Sequence, residues 1–304
     1  MHTNTSSLTQ MPRPEEIVWF DGEIIPMAQA RVSIEDRGFL FADGIYEVIA
    51  AYDGIPHLMD EHLDRWERSA EGLRIQPRFC RDTRVQAIHE LLRRFSAPRV
   101  SIYGQLTRGA ARRAHTFPAS PRPLEFWFVR ELAPYAPVLF TEGAKVITLP
   151  DERWANCWIK SISLAPNCLA RQDAAEQGAF EAIFHAEDGT VTEGAATNFF
   201  VVKNGVIWTH PVTKRILTGC TRQFFLSLAR NAGIPVREDR FDLTFMRNAD
   251  EAFITSTTIN AMPVTRIDEV PVGDGRVGPV VQKLMALGES AMQQMREDSL
   301  SALR

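Results

Sequence analysis

Apolar and polar positions change their period several times along these 304 residues. Near the start, WFDGEII and AAYDGIPHL each set Asp-Gly between short apolar runs, so residues 16 to 58 read as strands joined by tight hairpins. From about Asp60 the spacing becomes helical, with Leu63, Trp66, Ala70 and Leu73 on one face. A second helix is predicted from about Asp82, carrying Val85, Ile88, Leu92 and Phe95. RVSIYGQLTRG and PLEFWFVREL return to strand character. The stretch 130–143, RELAPYAPVLFTEG, has two prolines and little periodicity, which marks a connection between two bodies. Beyond it, strands are predicted at about 144–149, 180–185, 198–203 and 206–209, the last two joined by Asn204-Gly205. Helices are predicted at about 165–177, 219–232 and 278–297.

These elements predict an α+β protein of two domains with a cleft between them. Residues 1–14 form a flexible polar tail, 15–131 a small N-terminal α/β domain, 132–138 the linker and 139–304 a larger C-terminal domain. A length about twice that of one ordinary domain agrees. The 45% hydrophobic content supports an ordinary core, and a net charge of −4 offers no basic field for nucleic acid or anionic lipid. No apolar run reaches the ~18 to 20 residues that cross a bilayer. MHTNTSSLTQMPRP lacks the apolar stretch of a secretory signal, so a cytoplasmic location is expected. Cys80, Cys157, Cys168 and Cys220 show no CxxC spacing, and the histidines form no HExxH pattern; free thiols and no metal site are expected.

Only five of the 34 basic residues are lysines, and four of them have simple solvated settings. Lys160 differs, because NCWIKSISLAP surrounds it with tryptophan, isoleucine and leucine. Apolar surroundings depress a lysine's pKa, and a neutral amine is a nucleophile and Schiff-base former. A strand lysine snorkelling from a half-buried face explains the same local composition.

Other segments change its meaning. In ILTGCTRQFF, Gly219 precedes a predicted helix whose first amides, Cys220 and Thr221, would face an anion. Thr255 to Thr258, TSTT, follow the apolar strand EAFI and add hydroxyl donors; Arg65, beside Trp66, can add a full positive charge. In TVTEGAATNFFVV, Glu193 precedes a small-residue turn and an apolar strand, where a carboxylate can hold a pyridine nitrogen protonated. Arg113 and His115 in RRAHTFP, two apart in an extended segment, point the same way and can grip one carboxylate. Taken singly, each segment also reads as a helix start, a polar turn or a surface loop.

In one order, DRGFLFADGIYEV, DEHLDRWERSAEGL, LTRGAARRAHTFP, RWANCWIKSISLAP, TVTEGAATNFF, ILTGCTR and ITSTT resemble the fold-type IV pyridoxal-phosphate enzymes, and within them the D-amino-acid aminotransferases. The resemblance runs from about residue 18 to residue 295. It implies that family's two-domain α+β fold, with the cofactor in the interdomain cleft and the larger domain binding it. It implies pyridoxal 5'-phosphate on Lys160, which is both Schiff-base lysine and acid/base; Glu193 is its pyridine-nitrogen partner and Leu217 packs on the ring. Arg65, Cys220, Thr221, Ser256 and Thr257 would hold the phosphate. Tyr46, Val48, Arg113 and His115 would bind the substrate, the Arg-x-His loop coming from the neighbouring subunit of a homodimer. The implied activity is ping-pong transamination between a D-alanine-like amino acid and a 2-oxo acid such as 2-oxoglutarate. R-selective amine transaminase, branched-chain L-amino-acid aminotransferase and aminodeoxychorismate lyase are alternatives within the fold, although their loops differ from RRAH. One departure concerns specificity: Ala50 stands where such relatives carry lysine, which favours R-amine acceptance.

Overall fold

Three residue pairs set the hairpins. Asp21-Gly22, Asp53-Gly54 and Asn204-Gly205 all take positive φ (54° and 108°, 51° and 80°, 51° and 74°), as a two-residue turn that matches strand twist requires. The computed structural model describes residues 17–302, so the predicted tail 1–14 lies outside the described residues. The first two pairs join β1 (Ile17–Phe20) to β2 (Glu23–Pro26), and β3 (Gly44–Tyr52) to β4 (Ile55–Pro56). With β5 (Arg99–Thr107) and β6 (Leu124–Glu131) they form an antiparallel sheet ordered β2-β1-β6-β5-β3-β4. The short α1 (Arg37–Phe41) precedes β3. Helices α2 (Met59–Gly72) and α3 (Arg81–Arg93) cover one face of the sheet, with Leu63, Trp66, Ile88 and Leu92 packed on Ile45, Ile49, Ile102 and Trp127. Val85 and Phe95, predicted for the same stripe, are only partly buried; Ala87 and Leu91 complete it instead. The opposite face carries the stacked rings of Tyr46, Tyr103, Phe126 and Phe128.

After the short helix α4 (Val138–Thr141) comes a nine-stranded mixed sheet. Its strands are β7 (Ala144–Pro150), β8 (Glu181–His185), β9 (Val191–Gly194), β10 (Asn198–Lys203), β11 (Val206–Thr209), β12 (Val236–Glu238), β13 (Glu251–Ser256), β14 (Asn260–Ile267) and β15 (Val270–Pro271). The order is β12-β11-β10-β13-β14-β7-β8-β9, with β15 paired to β14. Both faces are buried at β10, which explains the unbroken apolar run Phe199 to Val202. Phe199 and Val201 face Phe241 and Met246, the latter on α7 (Leu243–Arg247); Phe200 and Val202 face α6 (Cys220–Asn231) and α8 (Pro279–Ala302). The remaining helix, α5 (Ala165–Glu176), packs on β7 and β8 through Ala170 and Ala174.

The alternative reading of Lys160 as a strand lysine fails: residues 151–164 form an irregular crossing whose ladder contact is a single bridge, Ser161 to Ile45. Its apolar residues are there to seat the crossing against α2 and β3, as Ile159 does, rather than to fill a pleat.

Candidate active site

The crossing places Lys160 on the first sheet although it follows β7 in sequence. Tyr46 N–H donates to Lys160 O at 3.0 Å, Lys160 N–H to Ser69 Oγ at 3.2 Å, and Ile162 N–H to Gly44 O at 3.1 Å. A Cβ at Gly44 would come within 2.6 Å of Leu106 O on the paired strand β5 and 3.0 Å of Ile162 Cδ1 on the crossing, so both neighbours press close on the glycine. The amine is thereby fixed at its root, and its Nζ sits 4.2 Å from the centre of the Tyr46 ring. Lys160 lines a cleft of about 820 Å³, counting the part open to solvent, between the two sheets.

Glu193, at the end of β9, lines the same cleft and is buried. Its Oε1 accepts from Arg153 Nη1 at 2.7 Å, and its Oε2 from Asn198 Nδ2 at 2.9 Å and Leu217 N–H at 3.0 Å. Burial pushes the carboxyl up to about 7, against the pull of Arg153 and the Leu217 amide. Arg153 also forks onto Asp151, with Nε to Oδ1 and Nη2 to Oδ2 both at 2.9 Å. Neither Arg153 nor Asn198 is conspicuous in the sequence: DERWANCW looks like a solvated loop, and Asn198 like a strand end.

At one end of the cleft α6 begins at Cys220, capped by Gly219, with its first amides free of intrahelical partners. Thr221, Ser256, Thr257 and Arg65 line the same end. Arg65 Nε and Nη2 are bound to Glu47 at 2.9 and 2.5 Å, while its Nη1 reaches Thr218 O at 3.3 Å. His62 Nδ1 meets the same carboxylate at 2.9 Å. Burial alone would raise the Glu47 carboxyl, but Arg65 and His62 outweigh it and hold it well below the usual range. Sequence reasoning missed Glu47, yet it occupies an inward position between Ile45 and Ile49, where a charge requires a buried partner.

Cys220, Leu217 and Tyr46 also line the cleft. Val48 does not; it is half-buried on the Tyr46 side of β3. Ala50, further along that side, is fully buried. Arg113 and His115 stand exposed on the loop between β5 and β6, outside the cleft of their own chain. Both converge on Phe41, with the guanidinium carbon 5.2 Å and the imidazole centre 5.5 Å from its ring centre.

These residues suit an aromatic, phosphorylated cofactor. The cleft wall holds two buried hydroxyls with no hydrogen-bond partner in the structure, Thr197 Oγ1 and Thr255 Oγ1, together with the free α6 amides and Arg65. A Cβ at Gly219 would collide with Asn198 Oδ1, so the backbone there approaches the cleft as glycine alone permits.

The family model for amino-transferase class IV matches residues 44–267. The chain is 40% identical to D-alanine aminotransferase of Staphylococcus epidermidis over 91% of its own length and 98% of that protein. It is also 40% identical to D-alanine aminotransferase of Listeria monocytogenes, covering 88% of this chain and 93% of that one. Among solved structures, Escherichia coli branched-chain amino acid aminotransferase superposes with a TM-score of 0.83 at 26% identity, covering 89% of this chain and 92% of that one. A second branched-chain amino acid aminotransferase, that of T.th., solved with pyridoxamine 5'-phosphate, gives 0.84 at 27%, covering 90% and 93%. With the family model matching residues 44–267 and 40% identity over nearly the whole chain, the protein whose cleft brings together a lysine, a buried carboxylate and a helix N-terminus belongs to the class IV aminotransferases, enzymes of pyridoxal 5'-phosphate.

Proposed function

We propose that the chain transfers an amino group between D-amino acids of the D-alanine type and 2-oxo acids such as 2-oxoglutarate. The observation that carries this is the convergence of Lys160, Glu193 and the α6 N-terminus on one cleft. The D preference is supported by 40% identity to D-alanine aminotransferases over nearly the whole chain, and by the RRAH loop.

Lys160 would hold the cofactor covalently through Nζ, Glu193 would face its ring nitrogen, and Leu217 would pack on the ring. Its phosphate would rest on the amides of Cys220 and Thr221, the hydroxyls of Ser256 and Thr257, and Arg65. Bound pyridoxal 5'-phosphate supplies an electron sink that allows the α C–H bond of an amino acid to break. Lys160 Nζ takes that proton and later returns one, with the neighbouring Tyr46 ring steadying its charged form. Glu193 would accept a hydrogen bond from the ring nitrogen and keep it protonated; Arg153, Asn198 and the Leu217 amide hold the carboxylate in place.

Arg113 and His115 would bind the substrate carboxylate in the cleft of a second copy of the chain, with Tyr46 lining that pocket and Val48 bordering it from the same side of β3. Their exposure in a single chain supports a homodimer, as do the neighbouring exposed side chains of Ile34 and Phe39, at 78% and 75%. The two sheets support the division into a domain of 15–131 and a larger one of 139–304 joined by 132–138. No helix among the described residues is long and apolar enough to cross a membrane. Four free cysteines fit a reducing cytoplasm.

The test is a donor panel with 2-oxoglutarate, comparing D-alanine with L-leucine and wild type with Lys160→Ala. Turnover of D-alanine alone, lost with Lys160, is expected. Turnover of L-leucine alone would overturn the D assignment, and an active Lys160→Ala the mechanism.

A further inference from the structure

The loop carrying Arg113 and His115 has no regular structure, and both side chains are exposed. A surface loop of this kind loses part of its binding strength to ordering, because each long side chain that must be fixed subtracts from affinity. One buried group restrains it. Arg37, in α1 and 4% exposed, sends Nη1 to Ala114 O at 2.5 Å and Thr116 O at 3.3 Å, and Nη2 to His115 O at 3.4 Å. These carbonyls bracket His115 and directly follow Arg113. The guanidinium also lies 4.9 Å from the centre of Phe41, the ring on which Arg113 and His115 rest.

The far side of Arg37 is anchored. Its Nε donates to Asp43 Oδ2 at 2.8 Å, and Arg108 clasps the same carboxylate with Nε at 2.7 Å and Nη2 at 2.9 Å. Arg108 in turn lies 3.6 Å from the centre of the Phe117 ring at the end of the loop segment. Asp43 adjoins Gly44, which receives the Lys160 crossing through Ile162 N–H. One carboxylate thus ties the loop to the strand against which the lysine is seated.

We propose that Arg37 is a positioning residue for substrate carboxylate binding: its fork holds the Ala114–Thr116 carbonyls so that Arg113 and His115 are presented ready-set. This rests on the reading of Arg113 and His115 as the carboxylate-binding pair. Arg37 touches neither substrate nor cofactor. It acts on KM for D-alanine and for 2-oxoglutarate, leaving the proton transfer at Lys160 as it is.

The test uses the holoenzyme of wild type, Arg37→Met, Arg37→Lys, Arg113→Ala and the double variant Arg37→Met/Arg113→Ala. Arg108 still neutralises Asp43 in Arg37→Met, and Arg37→Lys keeps the Asp43 ion pair while losing the fork, so loop and folding effects separate. Expected are a KM about tenfold higher in Arg37→Met and a smaller rise in Arg37→Lys. The cofactor absorbance should stay unchanged, kcat within about twofold, and the double variant no worse than Arg113→Ala. If Arg113→Ala raises KM but neither Arg37 variant does, or if the effects multiply in full, the positioning role is wrong. A fall in kcat with KM unchanged also overturns it. Should Arg113→Ala itself leave KM unchanged, the carboxylate reading fails first and the role built on it goes too.

Discussion

Arg153→Met would remove the guanidinium that touches both Asp151 and Glu193, leaving two buried carboxylates close together. At an effective dielectric of about 20, charges 2.7 Å apart attract by about 6 kcal/mol. Desolvation offsets part of this, and breaking a buried pair on one side costs about 3–5 kcal/mol. Glu193 has an escape, since it can take up a proton. Its folded pKa is raised from 4.5 to about 7, so between those values the folded chain binds more protons than the unfolded one. Its contribution to stability is therefore fully present below about pH 4.5 and lost as pH rises through 7; a gap of about 2.5 pH units amounts to about 3 kcal/mol. Without Arg153 the folded pKa climbs further, and the deficit relative to wild type should be larger at pH 8.5 than at pH 5 by about 2 kcal/mol. Acid should not restore turnover, because a protonated Glu193 cannot hold a ring nitrogen protonated; we expect activity at least about 100-fold down at either pH. Urea unfolding of the cofactor-free protein at both pH values, with Glu193→Gln as the variant lacking the titrating group, measures the first effect. Steady-state transamination measures the second. An equal deficit at both pH values, or near-normal turnover, would refute the coupling of Arg153 to the Glu193 charge.

Three other perturbations probe separate parts of the site. Refolding Lys160→Ala together with Arg113→Ala should restore activity at about one quarter of the sites, because only mixed dimers pair an intact lysine with an intact loop; a loop serving its own chain would restore none. Gly219→Ala drives a Cβ into Asn198 Oδ1, so Asn198 must leave Glu193 and the α6 N-terminus must shift. Cofactor affinity, read by absorbance titration, should fall at least about tenfold, and unchanged affinity would show that the close approach is immaterial. Burial pushes the Cys157 thiol up to about 11, whereas the hydrogen bond with Thr83 lowers that of exposed Cys80. Iodoacetamide at pH 8 should alkylate Cys80 well before Cys157, with transamination retained; mass spectrometry showing Cys157 modified first would contradict this.

What the sequence revealed, and what it hid, follows from the range of the forces involved. Hairpin turns depend on two residues, so Asp21-Gly22, Asp53-Gly54 and Asn204-Gly205 could be read directly. The start of α6 is nearly as local, and Gly219 caps it as its position before an amphipathic run suggests. The Lys160 crossing is not local. Its hydrogen-bond partners are Tyr46 and Ser69, the latter 91 residues upstream, and an apolar segment that meets a distant strand edge at one bridge looks, in isolation, like a strand. Charges gave the opposite error. Glu47 was missed, although an inward charge on an alternating strand is a signal that could have found it, since such a position calls for the buried Arg65 and His62 that it meets. Arg153 gave no such signal, because aspartate and glutamate next to it make DERW look solvated, whereas Asp151 is in fact the second jaw of its clamp. The same ambiguity covers Arg37 and Arg113. Both are arginines in polar motifs, one 4% exposed and one on the surface. Only the fold shows that the buried one grips the backbone on which the exposed one is displayed, which is why substrate recognition should respond to a residue that never meets the substrate.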